Sequence, residues 1–172
     1  TPSLPDPAVS APPEVSIVVD DLGALNPLQS GTFTYQLFNQ APQISYAVLP
    51  FLTYSTAVLQ DAASKGIETM LHQPLQYIGQ PDCNFGDSNR LYLCMTPTQI
   101  LNTLNNNLNS QAPYIWGANN HQGSRFSQHR PGLEVVMQEM KDRSFYYLDS
   151  RTVSDSVAYD IAREKGILTA ER

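Results

Sequence analysis

Apolar runs of strand length alternate with helix-length segments from Val15 to the end of this chain. No other feature limits the fold as much. The runs are "VSIVVD", "ISYAVLP", "IETMLHQP", "YIWGANNH", "FYYLDSRT" and "ILTAE". Between the first three lie "PLQSGTFTYQLFNQ", with Leu28, Phe33, Leu37 and Phe38 as its apolar side, and "TYSTAVLQDAASKG", closed by Gly66. Next come "TPTQILNTLNNNLNS", with Thr96 as N-cap and Pro97 at the first helical position, and "RPGLEVVMQEMKDRS", with Leu133, Val136, Met137 and Met140 on one face. The last helix is "SDSVAYDIAREKG", capped by Ser154 or Asp155, and Ile78 to Tyr92 reads as a long irregular loop. Strands alternating with helices imply βαβ units, and therefore an α/β fold with a parallel sheet or barrel.

In such folds the chemistry gathers beyond the carboxyl ends of the strands. Polar, chemically capable residues stand at those ends here: Asp20-Asp21, His72, Asn119-Asn120-His121 and Asp149-Ser150-Arg151. Two histidines and a carboxylate on one rim form a ligand set for zinc or a similar divalent metal, with a position left for water. Asp21, His72 and His121 are the candidate ligands, and Asp20 is the candidate general base. Asn119, Asn120, Arg125, Asp149 and Arg151 are candidates to bind or position a substrate. Tyr77 and Tyr92 offer rings for stacking, and Trp116 reads as core. Plainer readings stand beside these. Paired Asp residues cap helices, a single His is often a satisfied core residue, and Asp149 serves equally as a ligand, an orienter of a His or a salt-bridge partner of Arg151. Arg125 fits a surface ion pair as well as an anion site, and His129, at a helix start, reads as a surface residue. The coincidence of four such strand ends, not any one residue, favours a functional rim.

The chain has 172 residues, 41% of them hydrophobic, enough for one domain with a real core. "TPSLPDPAVSAPPE", residues 1–14, is rich in Pro, Ser and Ala and reads as a linker, so the domain begins near Val15. The chain starts at Thr1 with neither an initiating Met nor a signal peptide, as a processed or trimmed chain would. A net charge of −6 gives no electrostatic reason to expect nucleic acid or an anionic membrane surface as partner. No apolar stretch is long enough to cross a bilayer. Two cysteines, Cys83 and Cys94, flank the polar loop "CNFGDSNRLYLC". They are consistent with one disulfide in an oxidising compartment; two free thiols are the other reading.

The segments "IVVDDLG", "YAVLPFLTYS", "KGIETMLHQPLQ", "GANNHQGSRF" and "FYYLDSRTVSDSVAYDIAREKGI" resemble, in this order, the divergent polysaccharide deacetylase family (the YibQ-like proteins). The resemblance runs from about Val15 to the end of the chain. It implies a NodB-like, irregular (β/α) barrel related to carbohydrate esterases that remove acetyl groups, in a protein exported to the bacterial envelope. It also implies separate roles for the aspartates: Asp20 as catalytic base and Asp21 as metal ligand. The wider superfamily places two metal-binding His at H-x-x-x-H spacing. Here His72 is followed four residues later by Gln76, and His121 is the substitute third ligand. Relatives continue past "ILTAER" with another strand, a helix and a late His; this sequence stops at Arg172, so a barrel of these residues alone lacks that strand and helix.

Two functions follow as expectations. One is metal-dependent removal of acetyl groups from a polysaccharide or envelope glycan. The other is a catalytically inactive, periplasmic glycan-binding or envelope-interaction protein on the same fold, favoured by the broken His spacing.

Overall fold

The computed structural model describes residues 16–40, 44–83 and 86–172. The expected linker, the domain start at Val15 and the Phe38 side chain lie outside the described residues. Strands and helices alternate as β1 (Val18–Leu22), α1 (Phe33–Gln40), β2 (Ser45–Val48), α2 (Ser55–Ser64), β3 (Thr69–Leu75), α3 (Pro97–Gln111), β4 (Ile115–Gln122), α4 (Arg130–Asp142), β5 (Tyr146–Asp149), α5 (Ala158–Glu164) and β6 (Thr169–Glu171). The six strands form one sheet in sequence order, every neighbouring pair parallel. The sheet curls into a half-barrel.

Alternation along each strand separates two faces. Tyr46, Val48, Leu71, Ile115, Ala118 and Tyr147 face outward. They meet Val58 and Leu59 of α2, Ile100, Leu104 and Leu108 of α3, Leu133, Val136, Met137 and Met140 of α4, and Ile161 of α5. This is the helix-facing core, in which a fully buried residue such as Leu104 contributes roughly 1.5–3 kcal/mol. The inner face carries Val18, Met70, Leu148 and Ala170, which line a cleft of about 250 Å³. The next inward positions toward the strand C-termini are Asp20, His72, Ser150 and Arg172. The polar site therefore stands one layer above an apolar floor.

Thr96 caps α3 as the sequence predicts, its hydroxyl accepting from Gln99 N while the Gln99 side chain accepts from Thr96 N. Other boundaries move for local reasons. Asn26 and Thr32 hold a turn through Leu28 N to Asn26 Oδ1 (3.0 Å) and Thr32 Oγ1 to Asn26 O (2.9 Å), so α1 starts only at Phe33. Leu28 and Phe33 are consequently exposed rather than core. Neither Ser154 nor Asp155 caps α5; Val157 holds that position and Ser156 Oγ is drawn 2.6 Å onto Asp149 instead. Trp116 is 63% exposed, not core. Between Thr69–Leu71 of β3 and Ile115–Ala118 of β4 the register shifts by a residue, so Ile115 and Ala118 both pack into the helix-facing core and Trp116 is squeezed out. Gly117 beside it is required: a Cβ there would lie 2.6 Å from the Tyr146 backbone oxygen.

Candidate metal centre

In regular β structure, neighbouring side chains point to opposite faces, so Asp20 and Asp21 should diverge. They do not, because β1 carries a bulge. Val19 pairs with Tyr46 and Leu22 with Val48, leaving one residue more on β1 than on β2. Asp21 takes φ 64°, a left-handed conformation that Asp tolerates better than most residues. Both carboxylates thereby reach His72: Asp20 Oδ1 lies 3.9 Å from Nδ1 and Asp21 Oδ1 lies 3.1 Å from Nε2. The strand continues through the Asp pair to Leu22, and β3 continues past His72 to Leu75. The site therefore sits inside the mouth of the half-barrel, not beyond the strand ends as the sequence pattern implies.

Asp21, His72 and His121 converge. Asp21 Oδ1 is 2.8 Å from His121 Nδ1, and His72 Nε2 is 3.3 Å from His121 Nδ1. All three donor atoms lie within 4.8 Å of one another. Ligands bonded to zinc at about 2.0–2.1 Å in a tetrahedron stand about 3.3 Å apart, so the set fits such an ion with little adjustment. The donor chemistry fits as well. Asn119 donates through Nδ2 to Asp20 Oδ1 at 2.8 Å, which turns its Oδ1 toward His72 Nδ1 at 2.7 Å. That amide oxygen only accepts, so Nδ1 of His72 carries a proton and Nε2 is the nitrogen that faces the other donors. Asp21 is lowered to about 2, first by the hydrogen bond from His72. Burial pushes the His121 imidazolium toward deprotonation, the neutral form that ligates.

The second carboxylate has its own compensation. Arg172 Nη2 lies 2.7 Å from Asp20 Oδ2, while Asn119 holds Oδ1. β1 and β6 are the two edges of the sheet, so this ion pair spans the opening of the half-barrel. The two adjacent carboxylates are thus accommodated separately, Asp21 against two imidazoles and Asp20 against a guanidinium and an amide.

Other candidates hold loops together. Asn120 is buried, with its Oδ1 accepting from Ser150 N at 2.8 Å and its Nδ2 donating to Gln122 O at 2.9 Å. Asp149 is fully buried and accepts from Ser156 Oγ and Arg151 N. Arg151 pairs with Glu171, and Arg125 pairs with Asp82 at 2.9 Å. Cys83 and Cys94 are joined, with Cα atoms 5.8 Å apart. Tyr92 is buried and unavailable for stacking, whereas Tyr77 is exposed with the Arg90 guanidinium 5.6 Å from its ring. His129 is half-buried rather than a surface residue, its ring edge-on to Phe126.

Gln76 accounts for the broken His spacing. It is fully buried, its Nε2 donating to Asp82 Oδ1 at 3.2 Å and its Oε1 accepting from Leu93 N at 2.9 Å. Its backbone oxygen also accepts from Arg125 N and Phe126 N. It is the hub of the disulfide loop and no part of the triad. Sequence reading also missed Arg172, which is remote from Asp20 along the chain, and gave Ser150 a place at the strand end but no role; its buried Oγ finds no partner among the described residues.

Residues 17–172 match the family model described as divergent polysaccharide deacetylase. The chain belongs to the divergent polysaccharide deacetylase family. It is 30% identical over 159 residues to an uncharacterized protein of Haemophilus influenzae, covering 92% of this chain and 54% of that one. It is 28% identical over 159 residues to the uncharacterized protein YibQ of Escherichia coli, covering 92% and 47%. The chain thus spans about half the length of these curated relatives. Among solved structures, the uncharacterized protein ATU2773 of Agrobacterium tumefaciens superposes with a TM-score of 0.78 at 23% identity, over 91% of this chain and 61% of that one. The lactam utilization protein of Thermus thermophilus gives 0.62 at 13% identity, over 92% and 65%. Both likenesses concern the fold.

Proposed function

We propose that this family member is a metal-dependent hydrolase that removes acetyl groups from a polysaccharide or envelope glycan. The convergence of Asp21, His72 and His121 within 4.8 Å, with Asp20 fixed beside them, carries the reading. The three residues would hold a divalent cation, zinc by the character of two imidazoles and one carboxylate. Such an ion supplies Lewis-acid polarisation of an acyl carbonyl and a more acidic water.

The chain's own residues do the rest. Asp20 accepts the proton of the attacking water; each carboxylate oxygen has a second lone pair beyond those engaged by Asn119 and Arg172. Asn119 ties the base to His72 in one hydrogen-bonded line, so base and ligand cannot drift apart. Arg172 holds the other oxygen and supplies the counter-charge that lets two carboxylates stand side by side. Asp21 is the most open of the three ligands, its side chain 64% exposed, which puts the approach for a bulky substrate on its side of the triad. The Cys83–Cys94 bond supports export to an oxidising compartment such as the bacterial envelope. No helix among the described residues is long and apolar enough to cross a membrane.

Asp20→Asn tests the assignment of the base. It is expected to keep zinc stoichiometry while acetate release from N-acetylated glycan falls about 10²–10⁴-fold. Equal rates in the variant and the wild type would remove Asp20 from that role. A second reading, a glycan-binding protein without turnover, is favoured by Gln76, whose position is given over to holding a loop. Glycan binding with no acetate release from the zinc-loaded wild type would select that reading.

A further inference from the structure

We propose that Phe51 is the platform on which a sugar ring of the substrate stacks, a role that rests on the glycan reading above. Phe51 occupies the left-handed region at φ 58°, a conformation that a bulky aromatic residue rarely adopts. It is also 51% exposed, so the fold gains little burial in return. Backbone strain of this kind persists where the surroundings over-determine it, and functional sites are where it collects.

The surroundings do over-determine it. Leu49 N donates to Leu22 O and Tyr54 N to Gly23 O, both at 2.9 Å, so both ends of the Phe51 loop are tied to the residues just after Asp21. Inside the loop, Ser55 Oγ donates to Leu49 O at 2.6 Å and accepts from Leu52 N at 3.0 Å. The Phe51 backbone is thereby held just past the carboxyl end of β2. β2 lies between β1, which carries Asp20 and Asp21, and β3, which carries His72. Leu25, Leu28 and Leu52 are exposed on the same two loops and extend the apolar rim.

The ligand class follows from the chemistry. An exposed apolar ring on the loop between the strands that carry the polar centre matches a pyranose, which presents C–H groups on one face and hydroxyls at its edge. Of the other exposed aromatic side chains, Phe33 and Tyr35 lie on α1 rather than on a loop tied to the Asp pair, and Tyr77 already has the Arg90 guanidinium 5.6 Å from its ring. Trp116 stands near the amino end of β4, on the opposite rim.

The test uses zinc-loaded protein and a tetramer of β-1,4-linked N-acetylglucosamine, with binding read by calorimetry. Phe51→Ala and Phe51→Gly are expected to bind the tetramer at least about tenfold more weakly. Phe51→Trp is expected to restore binding. Zinc affinity and thermal midpoint in all three variants should stay close to wild type, since Phe51 is none of the three candidate ligands and glycine tolerates φ 58°. If wild type binds the tetramer and Phe51→Ala binds it equally well, the stacking role is overturned and the glycan reading stands. If zinc-loaded wild type does not bind the tetramer at all, the glycan reading fails and the stacking role falls with it.

Discussion

His121→Ala is expected to abolish stoichiometric zinc binding, and hydrolysis with it. The proposed centre would have three protein ligands, and zinc bound by protein side chains at neutral pH is worth about 10–16 kcal/mol in small structural sites. Loss of one ligand in three therefore removes several kcal/mol, a thousandfold or more in affinity at about 1.4 kcal/mol per tenfold. His121 suits the experiment better than His72. Its side chain is 22% exposed, so truncation leaves the fold intact and the thermal midpoint within a few degrees of wild type. His72 is 3% exposed and its Nδ1 serves Asn119, so His72→Ala would also leave a buried amide oxygen without a donor, at a cost of about 1–3 kcal/mol. Calorimetric titration with zinc on both variants separates the two effects. Unchanged zinc affinity in folded His121→Ala would exclude the triad as the metal centre.

Gly23→Ala is expected to destabilise the fold and loosen the site together. Gly23 has φ 121°, which side-chain-bearing residues rarely adopt, and an added Cβ would lie 2.7 Å from Ser55 Oγ. Ser55 cannot move freely because it bonds Leu49 and Leu52. The combined backbone and steric cost is about 2–3 kcal/mol, a fall in thermal midpoint of roughly 5–10 °C for a domain of this size. Gly66→Ala is the control. Its φ is also positive at 69°, yet nothing lies within 4 Å of the added Cβ, so its cost is about 1 kcal/mol. Because Gly23 follows Asp21 by two residues, Gly23→Ala should also weaken zinc binding, whereas Gly66→Ala should not. Equal midpoints for the two variants would show that the Ser55 contact does not lock the loop.

The element order was legible because apolar runs of strand length give way to helical spacing along the chain, and Leu133, Val136, Met137 and Met140 are all core as their spacing predicts. The triad was legible for a related reason: polar residues ending apolar runs are brought together by parallel strands. What escaped was information held in register and tertiary pairing. The β1 bulge that turns both aspartates inward depends on how β1 sits against β2, which residue types do not encode locally. The exposure of Trp116 is decided by the register shift between β3 and β4, which its apolar neighbours in sequence do not signal. Arg172 and Asp20 meet only because the sheet curls enough to bring its edges together. Gln76 reads as a missing ligand in sequence; in the fold its amide saturates a loop that a histidine could not bridge in the same way, since a ring offers neither a carbonyl oxygen nor an NH₂ group.

X-ray absorption at the zinc edge, on zinc-loaded wild type and His121→Ala, tests the metal centre most directly. One zinc per chain is expected, with two imidazole nitrogens and a carboxylate oxygen at about 2.0–2.2 Å, and a spectrum that loses an imidazole or its zinc in the variant. No bound zinc in the wild type, or a ligand set that His121→Ala leaves unchanged, would contradict it.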